Sequence, residues 1–372
     1  MESTQRLPAS LTPLESALHG LLQRLAAVPP VEVPLAEALG CIAADMPDLA
    51  AFPPTDIAAA DGWALRARDL VGASSYTPLP LAKPPVWVEA GDAMPDGCDC
   101  VLDSDAVDLS GPMVQVLADA IPGQGVRRIG GDVAAGSFVA LGRRIRPLDL
   151  LAMRAAGLKA AIVRRPRLRI VNIPATSGEA MTAELISANA RAEGAEVMVT
   201  GASSRDASGI AAALDPDGCD LLITIGGSGV GRSDAAVTAL AERGQVEAHG
   251  IAVQPGRTTA VGLIATTSVI ALPGAPDQAL AAWWMLALPA LDRLSGRLPR
   301  QTVTLPLVRK IASSVGIAEI ALLARNESGW MPLAVGDLPI EIMARADGWV
   351  AIPGGSEGHA AGTAVNAYLL RD

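Results

Sequence analysis

Apolar and polar residues follow three kinds of pattern along the chain, and each kind occupies its own region. Between Thr12 and Leu25, leucines recur at intervals of three or four residues, which predicts an amphipathic helix with one apolar stripe. From residue 51 to residue 120, short apolar runs separated by turn residues predict a compact β-rich unit. Between Leu168 and Leu294, apolar runs alternate with helical patterns, and this predicts a doubly wound α/β domain with a mostly parallel sheet.

These patterns divide the chain into four units, so the expected fold class is α/β plus β, in a multidomain arrangement. Residues 1–50 and 121–165 are predicted to form an elongated N-terminal arm for dimerisation, and residues 51–120 are inserted into it as the β-rich domain. Residues 166–298 form the α/β domain. Residues 299–372, again rich in short strands, form a small C-terminal β-domain.

The arm is predicted to be helical at three places, Thr12 to Leu25, Leu35 to Ala43 and Pro147 to Gly157. The first of these helices carries a leucine stripe that needs another surface to cover it. A second copy of the chain is the expected source of that surface, and we therefore predict a homodimer.

The candidate chemistry centres on the loop that follows the predicted strand from Leu221 to Ile225. Glycines let backbone N–H groups approach a phosphate, and the N-terminus of the next helix adds positive potential. Asp234 then places a carboxylate where it could bind a metal ion beside that phosphate. The alternative is a tight turn that binds nothing, because the spacing matches neither a Walker loop nor a dinucleotide fingerprint. The loop residues proposed to hold the anion are Gly226, Gly227, Ser228, Gly229 and Gly231.

Three further loops are expected at the same edge of the sheet, because ligands of such domains bind beyond the carboxyl ends of the strands. These loops are Pro174 to Glu179, Pro255 to Thr258, and Pro273 to Pro276. Arg257, in the second of them, is the residue expected to pair with an anionic ligand.

Two aspartates outside the α/β domain are also candidates. Asp61 belongs to an Asp-Gly turn before an apolar strand, and Asp132 follows the basic pair Arg127-Arg128. Asp132 could act on a metal or a proton while the arginines bind an anion. The simpler interpretation of both aspartates is that they belong to solvated turns.

Composition narrows the class of protein. A chain of 372 residues is too long for one core, and its net charge of −10 without a basic stripe argues against nucleic-acid binding. No apolar run reaches the roughly 20 residues of a membrane span, so no membrane partner is expected. The cysteines have neither metal nor disulfide spacing, which predicts reduced thiols and a cytoplasmic protein. They are Cys41, Cys98, Cys100 and Cys219.

Five passages, in order and at comparable spacing, resemble the molybdopterin molybdenumtransferases, the family of the bacterial MoeA proteins and the E domain of gephyrin. Residues 56–65 resemble the family's Asp-Asn-Ser-Ala-Met-Asp-Gly-Tyr-Ala, and residues 129–133 resemble its Gly-Glu-Asp-Ile. Residues 226–234 resemble Gly-Gly-x-Ser-x-Gly-x-x-Asp. The loops at 255–257 and 273–276 resemble Lys-Pro-Gly-Lys-Pro and Pro-Gly-Asn-Pro, and the Gly-rich tail at 353–358 also fits.

The resemblance implies a homodimer whose site lies between the α/β domain of one subunit and the β-domain of the other. There the family inserts molybdate into adenylylated molybdopterin with magnesium and releases AMP. By this resemblance Asp61, Asp132 and Glu179 are the catalytic residues and Asp234 is the magnesium ligand. A molybdopterin adenylyltransferase or a client molybdoenzyme is an expected protein partner. The implied cofactor-binding residues are Gly226, Gly227, Ser228, Gly229, Gly231, Pro255, Gly256, Arg257, Pro273, Gly274 and Pro276.

Several positions depart from the family pattern and leave a second hypothesis open. Each lost donor or charge removes a charged hydrogen bond, and such a bond contributes about 1.5–3 kcal/mol. A degenerate paralogue that binds a pterin cofactor, or that regulates or chaperones a molybdoenzyme without transferring metal, is therefore the alternative. The departures are Ile57, Ala58 and Ala60 for Asn, Ser and Met, the inverted Ser228-Gly229, and Gln254, Thr258 and Ala275 for Lys, Pro and Asn.

Overall fold

The computed structural model describes residues 5–174 and 180–371 of the chain. The first fifty residues contain helix α1 (Leu14–Gln23) and strands β1 (Val31–Pro34) and β2 (Ile42–Ala43). The leucine stripe of α1 is covered by the same chain, because Leu14 and Leu21 are buried in the core of the α/β domain. The expectation that this stripe needs a second subunit was therefore wrong.

The helix predicted from Leu35 to Ala43 was also wrong. The chain forms one 3₁₀ turn at Leu35–Glu37 and then enters β2. Gly40 adopts a φ of +82°, which ends any helix, and a Cβ there would lie 2.9 Å from the backbone oxygen of Ala192. The segment is thus shaped by close packing against the α/β domain.

The region from residue 51 to residue 120 is β-rich, as predicted. Its strands form two three-stranded sheets, in the orders β6-β4-β7 and β5-β9-β8, around a core that includes Leu65, Leu70 and Cys100. The strands are β3 (Ile57–Ala58), β4 (Gly62–Leu65), β5 (Leu79–Pro80), β6 (Val86–Val88), β7 (Cys100–Leu102), β8 (Val107–Asp108) and β9 (Gln115–Val116).

After this region the chain returns to the arm through β10 (Val126–Arg127), α2 (Pro147–Ala155) and β11 (Ala160–Arg164). Strand β11 lies between β1 and β2 and pairs with both in the antiparallel sense. The two separate segments of the arm therefore share one sheet, and the β-rich region is an insertion between them.

The α/β domain contains a six-stranded sheet in the order β13-β12-β14-β18-β17-β15. The first four strands are parallel, and β17 and β15 add an antiparallel edge that the sequence analysis did not predict. The strands are β12 (Arg167–Asn172), β13 (Glu196–Gly201), β14 (Leu221–Ile225), β15 (Gln245–His249), β16 (Val253–Gln254, outside this sheet), β17 (Ala260–Ile264) and β18 (Thr267–Leu272).

Helices cover both faces of this sheet, which confirms the doubly wound prediction. Ile170, Ile223 and Ile270 face one apolar cluster, whereas Val171 and Leu222, next to them in sequence, face the other. The first cluster includes α3, α6 and α7, and the second includes α4 and α5. The helices are α3 (Met181–Ala192), α4 (Ala207–Ala213), α5 (Ala236–Arg243), α6 (Pro276–Ala282) and α7 (Leu288–Ser295).

A π-helical turn at Trp283–Ala287 joins α6 to α7, so the two form one continuous helix that is locally widened. Pro289 lacks an N–H and its ring would clash with the carbonyl four residues earlier, which is the usual reason for such a turn. Trp284, in this turn, stacks on Trp349 with ring centroids 5.0 Å apart, and Trp349 stacks on Tyr368 at 4.7 Å.

These aromatic contacts dock the C-terminal β-domain on the α/β domain, and β16 pairs with β21 to extend the contact. No helix within residues 5–174 and 180–371 is long and apolar enough to cross a membrane. The C-terminal elements are β19 (Val303–Pro306), β20 (Ile311–Ala312), β21 (Ala318–Asn326), β22 (Gly329–Val335), α8 (Ile340–Arg345), β23 (Gly348–Ile352), β24 (Gly358–His359) and β25 (Ala364–Leu369).

A partly buried ionic cluster joins the end of α3, helix α7 and the linker that leads to the C-terminal domain. The guanidinium of Arg300 donates 2.7 Å hydrogen bonds to Asp292 and a 3.0 Å bond to Glu193, which also pairs with Arg297. Burial alone would raise the pKa of Glu193, but the hydrogen bond from Arg300 and the charges of Arg300, Arg297 and Arg144 together lower that pKa. Burial raises the pKa of Asp292.

We expect Arg300→Met to lower the free energy of unfolding by roughly 3–5 kcal/mol at pH 7, because it leaves two buried carboxylates without their shared cation. The urea midpoint of tryptophan fluorescence measures this. The deficit should narrow below the ordinary glutamate pKa of 4.5, where protonation neutralises Asp292, which has lost its cation, and Glu193, which keeps only Arg297.

The matched control is Arg345→Met, which breaks an exposed ion pair with Glu341 whose side chains are 66% and 81% exposed. It should cost no more than about 0.5 kcal/mol. Equal effects of the two substitutions would contradict the structural role of the cluster.

Candidate functional site

A cavity of about 260 Å³ lies at the carboxyl ends of the central parallel strands. Strand order reverses at β12, because α3 leads to β13 on one side while α4 leads to β14 on the other. Such a switch point leaves a crevice between the loops that leave neighbouring strands, and this is where ligands of doubly wound domains bind. Asn172 and Ile173 line the cavity from β12, Ile225 and Gly226 from β14, and Pro273 from the loop after β18.

The glycine loop after β14 is built so that backbone borders the cavity. Gly226 and Gly227 have φ values of +94° and +66°, which favour glycine. A Cβ on Gly229 would lie 2.5 Å from a carboxylate oxygen of Asp234. Gly227 and Gly229 line the cavity, and within residues 5–174 and 180–371 their N–H groups have no acceptor, which leaves these donors available for an anion.

Asp234 ends this loop with both carboxylate oxygens engaged. Oδ2 accepts a 2.9 Å hydrogen bond from the N–H of Gly231, and Oδ1 accepts a 3.1 Å bond from the guanidinium of Arg205. Arg205 also donates a 2.6 Å bond to the backbone oxygen of Pro174, so it links the loops after β12 and β14. Both Arg205 and Asp234 line the cavity.

The sequence analysis did not select Arg205. It lies on the loop before α4, next to Asp206, whose side chain caps that helix by accepting a 2.8 Å hydrogen bond from Gly209 N–H. An arginine just beyond the carboxyl end of a predicted parallel strand was the available signal. Its pairing with Asp234 depends on the strand order, which local pattern does not give.

Gln5 is a second residue that the sequence analysis missed. Its side chain is 8% exposed, and its amide nitrogen donates to the backbone oxygens of Gly227 at 3.1 Å and Gly229 at 2.7 Å. Its amide oxygen accepts from the N–H groups of Val237 at 2.7 Å and Thr238 at 3.1 Å, in the first turn of α5. The N-terminal segment therefore fastens the glycine loop to the helix that follows it.

A second cavity of about 410 Å³ adjoins the first and shares Thr258 and Gln278 with it. Pro255, Gly256 and Arg257 line it from the α/β domain, and Gly336 and Asp337 from the C-terminal domain. The side chain of Gln254 donates a 3.1 Å hydrogen bond to the oxygen of Gly336, so this residue joins the two domains across the cavity.

Three of the α/β loops predicted to meet do meet, and their residues divide between the two cavities, whereas the loop from Pro174 to Glu179 lies outside the described residues except for Pro174. Gly226, Gly227, Gly229, Asp234, Pro273 and Gly274 line the first, and Pro255, Gly256 and Arg257 line the second. Gly231 and Pro276 line neither. Ser228 is fully buried, its hydroxyl has no partner among the described residues, and its backbone oxygen lies 2.9 Å from His249 Nε2. Glu179 lies outside the described residues.

Asp61 and Asp132 line neither cavity of their own chain. Asp61 accepts a 2.8 Å hydrogen bond from Ala90 N–H, and the Asp132 carboxylate pairs with Arg127 at 3.3 Å in an exposed position. The segments that carry them are joined by the pairing of β3 with β10. Both aspartates thus belong to the inserted region and its junction with the arm.

Comparison with known families matches two parts of the chain. Residues 12–157 match the model of the MoeA N-terminal region (domain I and II). Residues 170–293 match the model described as a probable molybdopterin binding domain. The boundary between the two matches falls where the arm ends and β12 begins.

Individual relatives give the same picture. Molybdopterin molybdenumtransferase 2 of Mycobacterium tuberculosis is 30% identical over 230 residues, so the match spans 56% of this chain and little more than half, 57%, of that relative. Molybdopterin molybdenumtransferase 1 of the same organism is 26% identical over 77% of this chain and 74% of its own length. The solved molybdopterin biosynthesis MoeA protein of Pyrococcus horikoshii has the same fold, with a TM-score of 0.68 at 24% identity over 98% of this chain and 100% of that one.

We expect Gln5→Ala to increase amide hydrogen exchange in the peptide covering residues 226–238, because four hydrogen bonds to the glycine loop and α5 are lost. Exchange mass spectrometry of the native protein measures this directly. Gln23→Ala is the control, since the side chain of Gln23 contacts the exposed His19 four residues away and is remote from the glycine loop in sequence. Unchanged exchange at residues 226–238 in Gln5→Ala would contradict the fastening role.

Proposed function

Since this chain belongs to the MoeA family, we propose that it acts in molybdenum cofactor biosynthesis, as a molybdopterin molybdenumtransferase that inserts molybdate into adenylylated molybdopterin and releases AMP. The match to the M. tuberculosis enzyme 2 covers little more than half of either chain, so activity and substrates rest on the site itself. Molybdate and the adenylylated pterin are both anionic, and the site must accommodate both.

The observation that carries this proposal is the pair of adjoining cavities at the switch point. Backbone N–H groups of the glycine loop border the first, and Arg257 lines the second. Their shared residues, Thr258 and Gln278, allow one extended ligand to reach both. A ligand with a phosphate at one end and a nucleotide at the other fits two connected anion sites better than one small phosphate does.

Magnesium, expected at Asp234 from the resemblance, does not fit the residues around it. Both oxygens of Asp234 are engaged, one of them by the cation Arg205. No group of three His, Cys, Asp or Glu side chains that could hold a metal ion occurs in residues 5–174 and 180–371. We therefore propose that the reaction does not use a magnesium ion bound to Asp234.

We also propose that the active unit is a homodimer with a site shared between subunits. Asp61 and Asp132 are remote from the cavities of their own chain, so a second subunit would have to supply them. Helix α2 supports the dimer, because Leu148 and Leu151, three residues apart on one face, are 69% and 63% exposed. Because the leucine stripe of α1 is covered by the same chain, we propose this exposed face of α2 as the dimer contact instead.

The cytoplasm is the proposed location, since all four cysteines are free thiols, as expected in a reducing compartment. A molybdopterin adenylyltransferase is the proposed source of the substrate, because an adenylylated pterin has to be made by adenylyl transfer. A client molybdoenzyme is the proposed recipient of the product.

Expression of the chain should restore molybdoenzyme activity to a bacterial strain that lacks its molybdenumtransferase. Arg257→Ala and Asp61→Asn should each abolish rescue. Co-expression of these two variants should restore it in part, because random pairing leaves about a quarter of the shared sites with both residues intact.

Failure of the unmodified, stably expressed chain would contradict transferase activity and favour the degenerate paralogue. Rescue by the chain without any recovery on co-expression would leave the function standing and refute the shared site.

Leu151→Asp should convert the dimer to a monomer, because it places a charge in an apolar contact. Light scattering at micromolar concentration measures the mass. Val71→Asp, at an exposed residue of the inserted region, is the control and should leave the dimer intact. A wild-type monomer, or an unchanged dimer in Leu151→Asp, would contradict the proposed contact.

A further inference from the structure

We infer that Arg205 is a built-in cation of the first cavity, which balances Asp234 and binds the phosphate of the ligand without a magnesium ion at that carboxylate. This inference rests on the proposed function, because it concerns the same anion site. It assigns a specificity-determining role to a residue outside every motif that the family resemblance selected.

The position of Arg205 is fixed by two hydrogen bonds, and one of its two partners is itself held in place. Its Nη1 donates to Pro174 O at 2.6 Å and its Nη2 to Asp234 at 3.1 Å, while Asp234 is itself held by Gly231 N–H. The two charged side chains are only 26% and 20% exposed, so solvent screens the pair less than it would a surface pair. The guanidinium is therefore oriented before any ligand arrives.

Arg205 still has donors to offer. Its Nε is buried and has no partner among the described residues, and two of its five N–H bonds account for the contacts with Pro174 and Asp234. A guanidinium with unused donors beside the N–H groups of Gly227 and Gly229 is suited to bind phosphate oxygens.

A divalent ion at Asp234 would have to displace this arrangement. It would replace the hydrogen bond from Arg205 and then lie beside a guanidinium that Pro174 continues to hold, which places like charges in contact. A single carboxylate already neutralised by arginine is a poor ligand for a cation that prefers oxygen donors and holds its water strongly. The cation that the site requires is thus supplied by the chain.

The test measures binding of AMP to the full-length protein by calorimetry, in EDTA and in millimolar magnesium. AMP carries one phosphate, which chelates magnesium weakly, so the magnesium effect reports on the protein. We expect wild-type affinity to agree within about twofold between the two buffers. Arg205→Ala should bind about 10- to 100-fold more weakly in EDTA.

Magnesium should recover part of the loss in Arg205→Ala, because Asp234 is then free to hold the ion. Arg205→Lys, which keeps the charge, should remain independent of magnesium but bind more weakly than wild type. Arg191→Ala removes the same charge from the exposed end of α3 and should leave the affinity unchanged.

Wild-type binding that is lost in EDTA would overturn the inference while leaving the proposed function intact. The inference would equally fail if Arg205→Ala bound AMP as tightly as wild type in both buffers. If wild type binds no AMP in either buffer, the phosphate site itself is absent, and the proposed function fails together with the inference. Normal AMP binding without rescue of the mutant strain would refute only the function.

Discussion

The structure depends on one apolar face of the central sheet, which three distant parts of the chain cover together. Ile170, Ile223 and Ile270 form this face, and they belong to one continuous apolar cluster with residues of α1, α3, α6, α7 and the C-terminal β-domain. Burial of such aliphatic side chains stabilises a fold by roughly 1.5–3 kcal/mol each. Because the covering elements come from both ends of the chain, the loops between them are held in fixed positions.

The candidate site uses this arrangement at two places. The N-terminal segment that leads into α1 passes beside Gly250 and brings Gln5 to the glycine loop. The C-terminal domain, docked through Trp284 and Trp349, presents Gly336 to Gln254 at the second cavity. The same packing therefore holds the glycine loop of the first cavity in place and supplies one wall of the second cavity.

The spacing of apolar residues predicted most of the fold, because each helix and strand buries its residues at regular intervals. The strand from Leu221 to Ile225 is fully buried and was found with its exact bounds, and the strand–helix alternation around it gave the doubly wound sheet. The predicted helix at Leu35–Ala43 failed because Gly40 packs on a helix more than 150 residues later. The antiparallel strand β17 was missed although its apolar run, Ala260–Ile264, was visible.

The site was less predictable than the fold, since its polar contacts join residues far apart in sequence. The loops were identified because strand ends and glycines are local features. Gln5, however, reaches Gly227 across 222 positions and Arg205 reaches Asp234 across 29, and only the folded sheet brings them together. Considered alone, the motif that ends at Asp234 indicates a metal ligand. In the folded chain, the cation that contacts Asp234 is the guanidinium of Arg205.

The departures from the family pattern can be understood together from the positions of the charged side chains in the site. Where the resemblance places a lysine, Gln254 donates to the Gly336 carbonyl, a neutral partner that a neutral amide satisfies without a counter-ion. The positive charge missing there is present at Arg205, in the neighbouring cavity and next to the carboxylate that would otherwise need a metal. With Arg205 lining the first cavity and Arg257 the second, each cavity keeps a positively charged side chain that suits an anionic ligand.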